Sequence, residues 1–168
     1  MPLDLSLTSV HVVISLLALA AGLVLLASLI AGRHEPVTAA LFLATTLATS
    51  LTGFLFPSPP VTPAQVFGVI SVVTLAVAIY AVYRVRPSGR WRTVYVVASV
   101  FALYLNAFVG VVQAFQKIGP LHRLAPTQTE PAFIAAQSLL LVVFAIAGYL
   151  CVRQVRPTPS LTSTKQPA

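Results

Sequence analysis

Five apolar runs, each close to the length a helix needs to cross a bilayer, constrain this chain more than any other feature. They fall at about 10–31, 37–56, 64–83, 93–115 and 131–152. Crossing the hydrocarbon core takes roughly 20 helical residues. Strands of a membrane barrel need only about half that length and alternate apolar with polar positions. Helices close their own backbone hydrogen bonds where no water is available to do so. The expected fold is therefore all-α: an integral-membrane bundle of five transmembrane helices, forming one domain over residues 1–152. Residues 153–168, polar and rich in Pro, Ser and Thr, are expected to be a flexible cytoplasmic tail with little to bury.

Composition agrees. Apolar residues make up 58% of the chain and charged residues 8%, against about 25% charged in a soluble domain. The first run has no basic residues before it. Ala18-Leu19-Ala20 mimics a cleavage site, but the apolar run continues through it to Ala31. We read it as a first membrane span rather than a secretory signal.

The ten Lys and Arg residues flank the runs unevenly. Arg33, Arg84, Arg86, Arg90, Arg92, Arg153, Arg156 and Lys165 fall on one side, and Lys117 and Arg123 on the other. Basic residues in short loops mark the cytoplasmic side. This places the N-terminus outside and the C-terminus inside a bacterial inner membrane. The assignment depends on the second run. Were it to dip in and return, Arg33 would change sides and the N-terminus would lie inside. The net charge of +7 forms no continuous stripe of the kind that binds nucleic acid. Its expected partners are anionic lipid headgroups at the cytoplasmic face.

No acidic or basic residue lies deep in a run, where proton-coupled carriers place ionisable groups. The main polar pattern is in the fourth run. Asn106, Gly110, Gln113 and Lys117 are spaced by four, three and four, so they share one helical face, with Gln116 beside them. In the second run Thr45, Thr49 and Thr52 share a face, and Thr46, Ser50 and Gly53 lie one position around. Gln137 sits at a similar outer depth. Two readings apply. Amides can hydrogen-bond across helices as packing glue, and hydroxyls can bond back to their own helix. Alternatively Asn106, Gln113, Gln116, Lys117, Gln137, Thr49 and Thr52 line a ligand pocket in the outer half of the bundle.

Histidines give a third possibility. His11 and His122 both fall on the outer side, near Asp4 and Glu130, and two histidines can ligate a metal or haem iron. No CxxCH, His-x-x-His or Glu-x-x-His spacing accompanies them. The sequence therefore requires no cofactor. His34, beside Glu35, reads as a solvated loop residue. Cys151 is the one cysteine, and it reads as a packed thiol at a helix end. Tyr80, Tyr83, Trp91, Tyr95 and Tyr149 are expected to form an interfacial belt at the inner side. Tyr104 lies deeper and should find a hydrogen-bond partner. Ala18 and Gly22 form a small-xxx-small contact surface. Phosphate-binding loops, nucleophile elbows and zinc-protease motifs are missing, and the loops are too short for a catalytic domain.

Three stretches carry a resemblance. They are Ala44-Thr45-Thr46-Leu47-Ala48-Thr49-Ser50-Leu51-Thr52-Gly53-Phe54-Leu55-Phe56-Pro57, then Gln113-Ala114-Phe115-Gln116-Lys117, then Leu124-Ala125-Pro126-Thr127-Gln128-Thr129-Glu130-Pro131. Together they resemble uncharacterised small bacterial multi-span integral-membrane proteins. The resemblance implies a bacterial inner membrane and no particular activity. The tryptophan-rich sensory proteins share the length and span number, but the single Trp91 departs from them. The expected function is a non-enzymatic accessory, anchoring or scaffold component, with a partner membrane subunit or a second copy of the chain. A small-molecule binding or transport protein is the alternative, and a haem- or quinone-binding redox subunit the next.

Overall fold

A computed structural model describes residues 6–33, 35–56, 63–84 and 89–155. Residues 57–62, Asp4, His34, Arg86, Arg156, Lys165 and most of the tail lie outside these residues. All elements are helical: α1 (Leu7–Ile30), α2 (Pro36–Gly53), α3 (Pro63–Ile79), a π turn (Tyr80–Arg84), α4 (Arg90–Lys117), α5 (Gly119–Leu124) and α6 (Pro131–Val155). Among the described residues, five stretches are long and apolar enough to span a membrane: Leu7–Ile30, Pro36–Gly53, Gln65–Tyr83, Arg90–Lys117 and Pro131–Val155.

Local chemistry sets the helix ends. Ser6 caps α1 by accepting the Ser9 N–H at 3.3 Å. At the other end Gly32 takes φ +70°. Its N–H reaches Leu29 O and the Arg33 N–H reaches Ser28 O. This paired closure needs a left-handed residue, which glycine supplies without a Cβ penalty. Pro36 opens α2 at a position where its missing N–H costs nothing. Pro131 does the same for α6, whose first turn closes on Glu130 O from the Ile134 N–H at 3.1 Å.

Several boundaries differ from the sequence expectation by a few residues. Helix α4 starts at Arg90 rather than near Thr93 and runs on to Lys117. Arg90 and Arg92 are therefore helical rather than loop residues, and so are Gln116 and Lys117. The residues expected to begin the tail also continue α6 as far as Val155. The π turn and the short α5 have no counterpart in the apolar pattern.

Contacts along the second helix settle its path. His11 near the start of α1 meets Thr52 near the end of α2. In mid-helix Gly22 faces Phe42. The two helices thus pack antiparallel, and α2 is uninterrupted from one end of the bundle to the other. Eighteen residues at 1.5 Å each cover about 27 Å, enough to cross without turning back.

Gly22 is also the tightest point of the core. A Cβ there would overlap Leu103 Cδ1 and come within 2.9 Å of Phe42 Cε2. Only glycine lets α1, α2 and α4 meet this closely, which raises dispersion contact where lipid supplies no hydrophobic drive.

The core is one-sided. Helix α1 buries Ala18, Ala21, Gly22, Leu25, Ser28 and Leu29 but nothing from Leu7 to Leu17. Helix α4 buries a dense run from Tyr95 to Leu105 and then only Phe115. In α3 the buried side chains are Ser71, Leu75 and Ala78. The packed region therefore lies toward the end where α1 and α6 finish and α4 begins. That end carries Arg33, Arg84, Arg90, Arg92 and Arg153, and the opposite end carries Lys117 and Arg123. We call these the basic end and the His11 end.

Tyr95 departs from the expected belt. It is 1% exposed and lies inside the core, while Tyr80, Tyr83, Trp91 and Tyr149 are exposed. Tyr80 and Trp91 meet edge-to-face at 5.5 Å, and the Arg153 guanidinium lies 5.8 Å from the Tyr149 ring centre. Tyr104 has ring neighbours, Phe144 at 5.8 Å and Phe108 at 6.1 Å, and among the described residues it makes no hydrogen bond of the kind expected of it.

Candidate functional site

The polar residues of the His11 end fall into two groups, one bonded within the bundle and one turned outward. Asn106 Nδ2 donates to Thr46 Oγ1 at 3.2 Å, linking α4 to α2. Thr46 is fully buried. Sequence spacing placed Thr46 one position off the expected face, so it was not among the candidate residues. Gln137 Nε2 donates to Phe108 O at 3.2 Å, linking α6 to α4. Its Oε1 is buried and has no hydrogen-bond partner among the described residues.

His11 Nδ1 lies 2.8 Å from Thr52 Oγ1. The Thr52 hydroxyl has one hydrogen and also lies 2.8 Å from Ala48 O and 3.1 Å from Thr49 O, so the tautomer of His11 decides which of the two side chains donates in this contact. The ring is held edge-on by Phe56 at 5.2 Å, and its Cε1 lies over Gly53. His122 is exposed on α5, and Glu130 is engaged elsewhere. Among the described residues no three His, Cys, Asp or Glu side chains gather where they could hold a metal ion.

The hydroxyls of α2 mostly serve their own helix. Thr45 bonds Leu41 O at 2.7 Å and Thr49 bonds Thr45 O at 2.9 Å. Ser50 also reaches Ser71 Oγ at 3.1 Å, joining α2 to α3. This inter-helix link had no signal in the sequence beyond two small polar residues in separate runs.

Gln113, Gln116 and Lys117 form the outward group on the last turns of α4, all exposed. Gly110, on the same face, is packed near Leu19 of α1. The face that the spacing defined is therefore divided. Asn106 and Gly110 look into the bundle, and the three residues beyond them project past its packed part.

A loop closes this end over α4. Gln128, at φ 60°, extends Nε2 to Val112 O at 3.0 Å. Glu130 Oε1 accepts from the Thr127 N–H and hydroxyl at 3.0 and 2.9 Å, and Oε2 accepts from the Thr129 N–H at 3.0 Å. Slight desolvation pushes the Glu130 carboxyl upward. The hydrogen bonds from Thr127 and Thr129 outweigh it and hold the group below its ordinary value.

At the basic end, a small depression lies between the ends of α1, α4 and α6. Arg33, Arg92, Tyr95, Cys151 and Gln154 line it. The sequence reading placed any pocket at the opposite end. The three runs that form the depression are far apart in the chain, so their meeting was not visible in the spacing.

No known protein family, curated protein or solved structure matches the chain.

Proposed function

We propose that this protein is a non-enzymatic multi-span component of a bacterial inner membrane that anchors or scaffolds a partner membrane protein. One observation carries the reading. The polar side chains best placed for intramembrane chemistry are used to hold the helices together: Asn106 on Thr46, His11 on Thr52 and Gln137 on Phe108. Gln113, Gln116 and Lys117 extend outward and make no side-chain hydrogen bond among the described residues. In an apolar setting such amides favour a neighbouring helix that can pair with them. The distribution of basic residues supports the N-terminus outside and the C-terminus inside.

Purification in a mild detergent tests this directly. The expected result is co-elution with a second membrane protein, or a second copy of the chain, in fixed stoichiometry. A monodisperse single chain under conditions that preserve known membrane complexes would overturn it.

A second reading is favoured by the unpaired Gln137 Oε1 and by the core stopping short of the His11 end. In it, a small molecule bearing a hydrogen-bond donor enters between the helices there. Binding would raise the thermal midpoint, and Gln137→Leu would abolish that rise.

A further inference from the structure

Two guanidinium-bearing side chains from different helices, Arg33 after α1 and Arg92 in the first turn of α4, line the depression at the basic end. Neither pairs with a carboxylate among the described residues, and no carboxylate lines the depression. Its remaining polar lining includes the Gln154 amide and the Tyr95 side chain. Gln154 Oε1 lies close to Gly32, so the end of α6 is packed against the turn that presents Arg33.

No carboxylate offsets the two guanidinium groups of this corner, where the only negative contributions are the partial charges at the C-terminal ends of α1 and α6. Helix α4 has no acidic residue in its first turn and no side-chain cap at Gly89. Arg90 and Arg92 thus add positive charge at the helix end that is already positive by its dipole. Glu35 is the nearest acid in sequence, two residues beyond Arg33, and it does not line the depression. Bringing like charges to one concave surface costs free energy, and an anion between them removes that cost.

We propose that the depression between α1, α4 and α6 is a phosphate-binding site in which Arg33 and Arg92 grip one anionic phosphate group, with the Gln154 amide donating alongside. The site lies at the end of the apolar spans, the depth at which a phospholipid presents its phosphate. The source of the phosphate is a lipid headgroup or a free phosphate ion. The inference rests on the chain lying in a bilayer and is independent of any partner protein. It deepens the general affinity expected for anionic lipid into one stoichiometric site.

Native mass spectrometry of the purified chain, reconstituted with phosphatidylglycerol or with phosphatidylcholine, tests the proposal. One tightly retained phosphatidylglycerol per chain is expected. Arg33→Gln and Arg92→Gln should each weaken retention by about tenfold, while Arg153→Gln, whose guanidinium lies by Tyr149, leaves it unchanged. Arg33 is exposed, so Arg33→Gln keeps the test sound should Arg92→Gln fail to fold. A second arm adds inorganic phosphate to lipid-free micelles. A rise in thermal midpoint that requires Arg33 assigns the site to free phosphate instead. Retention that falls equally in all three variants would show only diffuse charge attraction and overturn the site. So would a lack of both lipid retention and phosphate response.

Discussion

Asn106 Nδ2 lies 3.2 Å from Thr46 Oγ1 and joins α4 to α2 just beyond the densest part of the core. Such bonds are weaker in a membrane than an apolar setting suggests, because separated helices also find polar partners. A double-mutant cycle of Asn106→Ala and Thr46→Ala should give a coupling of about 0.6 kcal/mol, and no more than ~1.7. Reversible unfolding in mixed micelles would measure it. A coupling indistinguishable from zero would remove the bond from the list of contacts holding the bundle.

The two glycines on opposing faces of the α1–α4 contact should respond differently to one added methyl. Gly22→Ala drives a Cβ into Leu103 and Phe42 and should destabilise by about 1–3 kcal/mol. Gly110→Ala meets only Leu19 at an ordinary 3.7 Å and should change little. Equal thermal midpoints for the two variants would contradict the close approach at Gly22.

Sidedness can be read with single cysteines. Cys151 is 1% exposed, so the unmodified chain should resist maleimide until it is denatured. In a Cys151→Ser background, Gly119→Cys on α5 should label with a membrane-impermeant maleimide added to whole cells with a permeabilised outer membrane. Arg90→Cys should label only after the inner membrane is opened. The reverse pattern would invert the proposed orientation.

Loop closure near α6 should depend on acid. Hydrogen bonds hold Glu130 below its ordinary carboxylate value in the folded chain. Its contribution to order is therefore complete above the unfolded value and is lost as pH falls through the folded one. The Thr127 and Thr129 amide resonances should shift together on acidification and stay fixed through the neutral range. Glu130→Gln should abolish that titration. Persistence of the same shift in the variant would assign it to another group.

Gln113→Leu separates folding from association. The side chain is exposed and makes no bond within the described chain, so stability of the isolated bundle should move by less than ~0.5 kcal/mol. Recovery of the co-purifying partner should fall sharply. An unchanged complex would move the partner surface elsewhere.

Length and polarity made the five spans legible, because nothing else in a small chain demands uninterrupted apolar runs. The faces of those spans were not legible. In a soluble helix the core side is apolar and the solvent side polar. Between lipid and core both sides are apolar, so that contrast vanishes. Tyr95 illustrates the loss: an amphipathic ring near a span end reads as interfacial, yet it is buried against the core. Arg90 and Arg92 hid the start of α4 in the same way, since charge reads as loop although a helix can begin in the headgroup layer. The polar face of α4 was legible as a pattern, but its partners depended on which helices adjoin. The bond to Thr46 rather than to the outer threonines follows from that arrangement.

The uneven core has a mechanical consequence. Opening the bundle at the basic end means separating closely packed helices around Gly22, Phe42 and Leu103. At the His11 end, the contacts to be broken include a few hydrogen bonds and ring pairs. Local opening costs little where buried contacts are few. Amide exchange should therefore grade along α1, fast before Leu17 and slow from Ala18 to Leu29. The chain would behave as a molecule anchored at one membrane face and compliant at the other, able to part its helices there without unfolding.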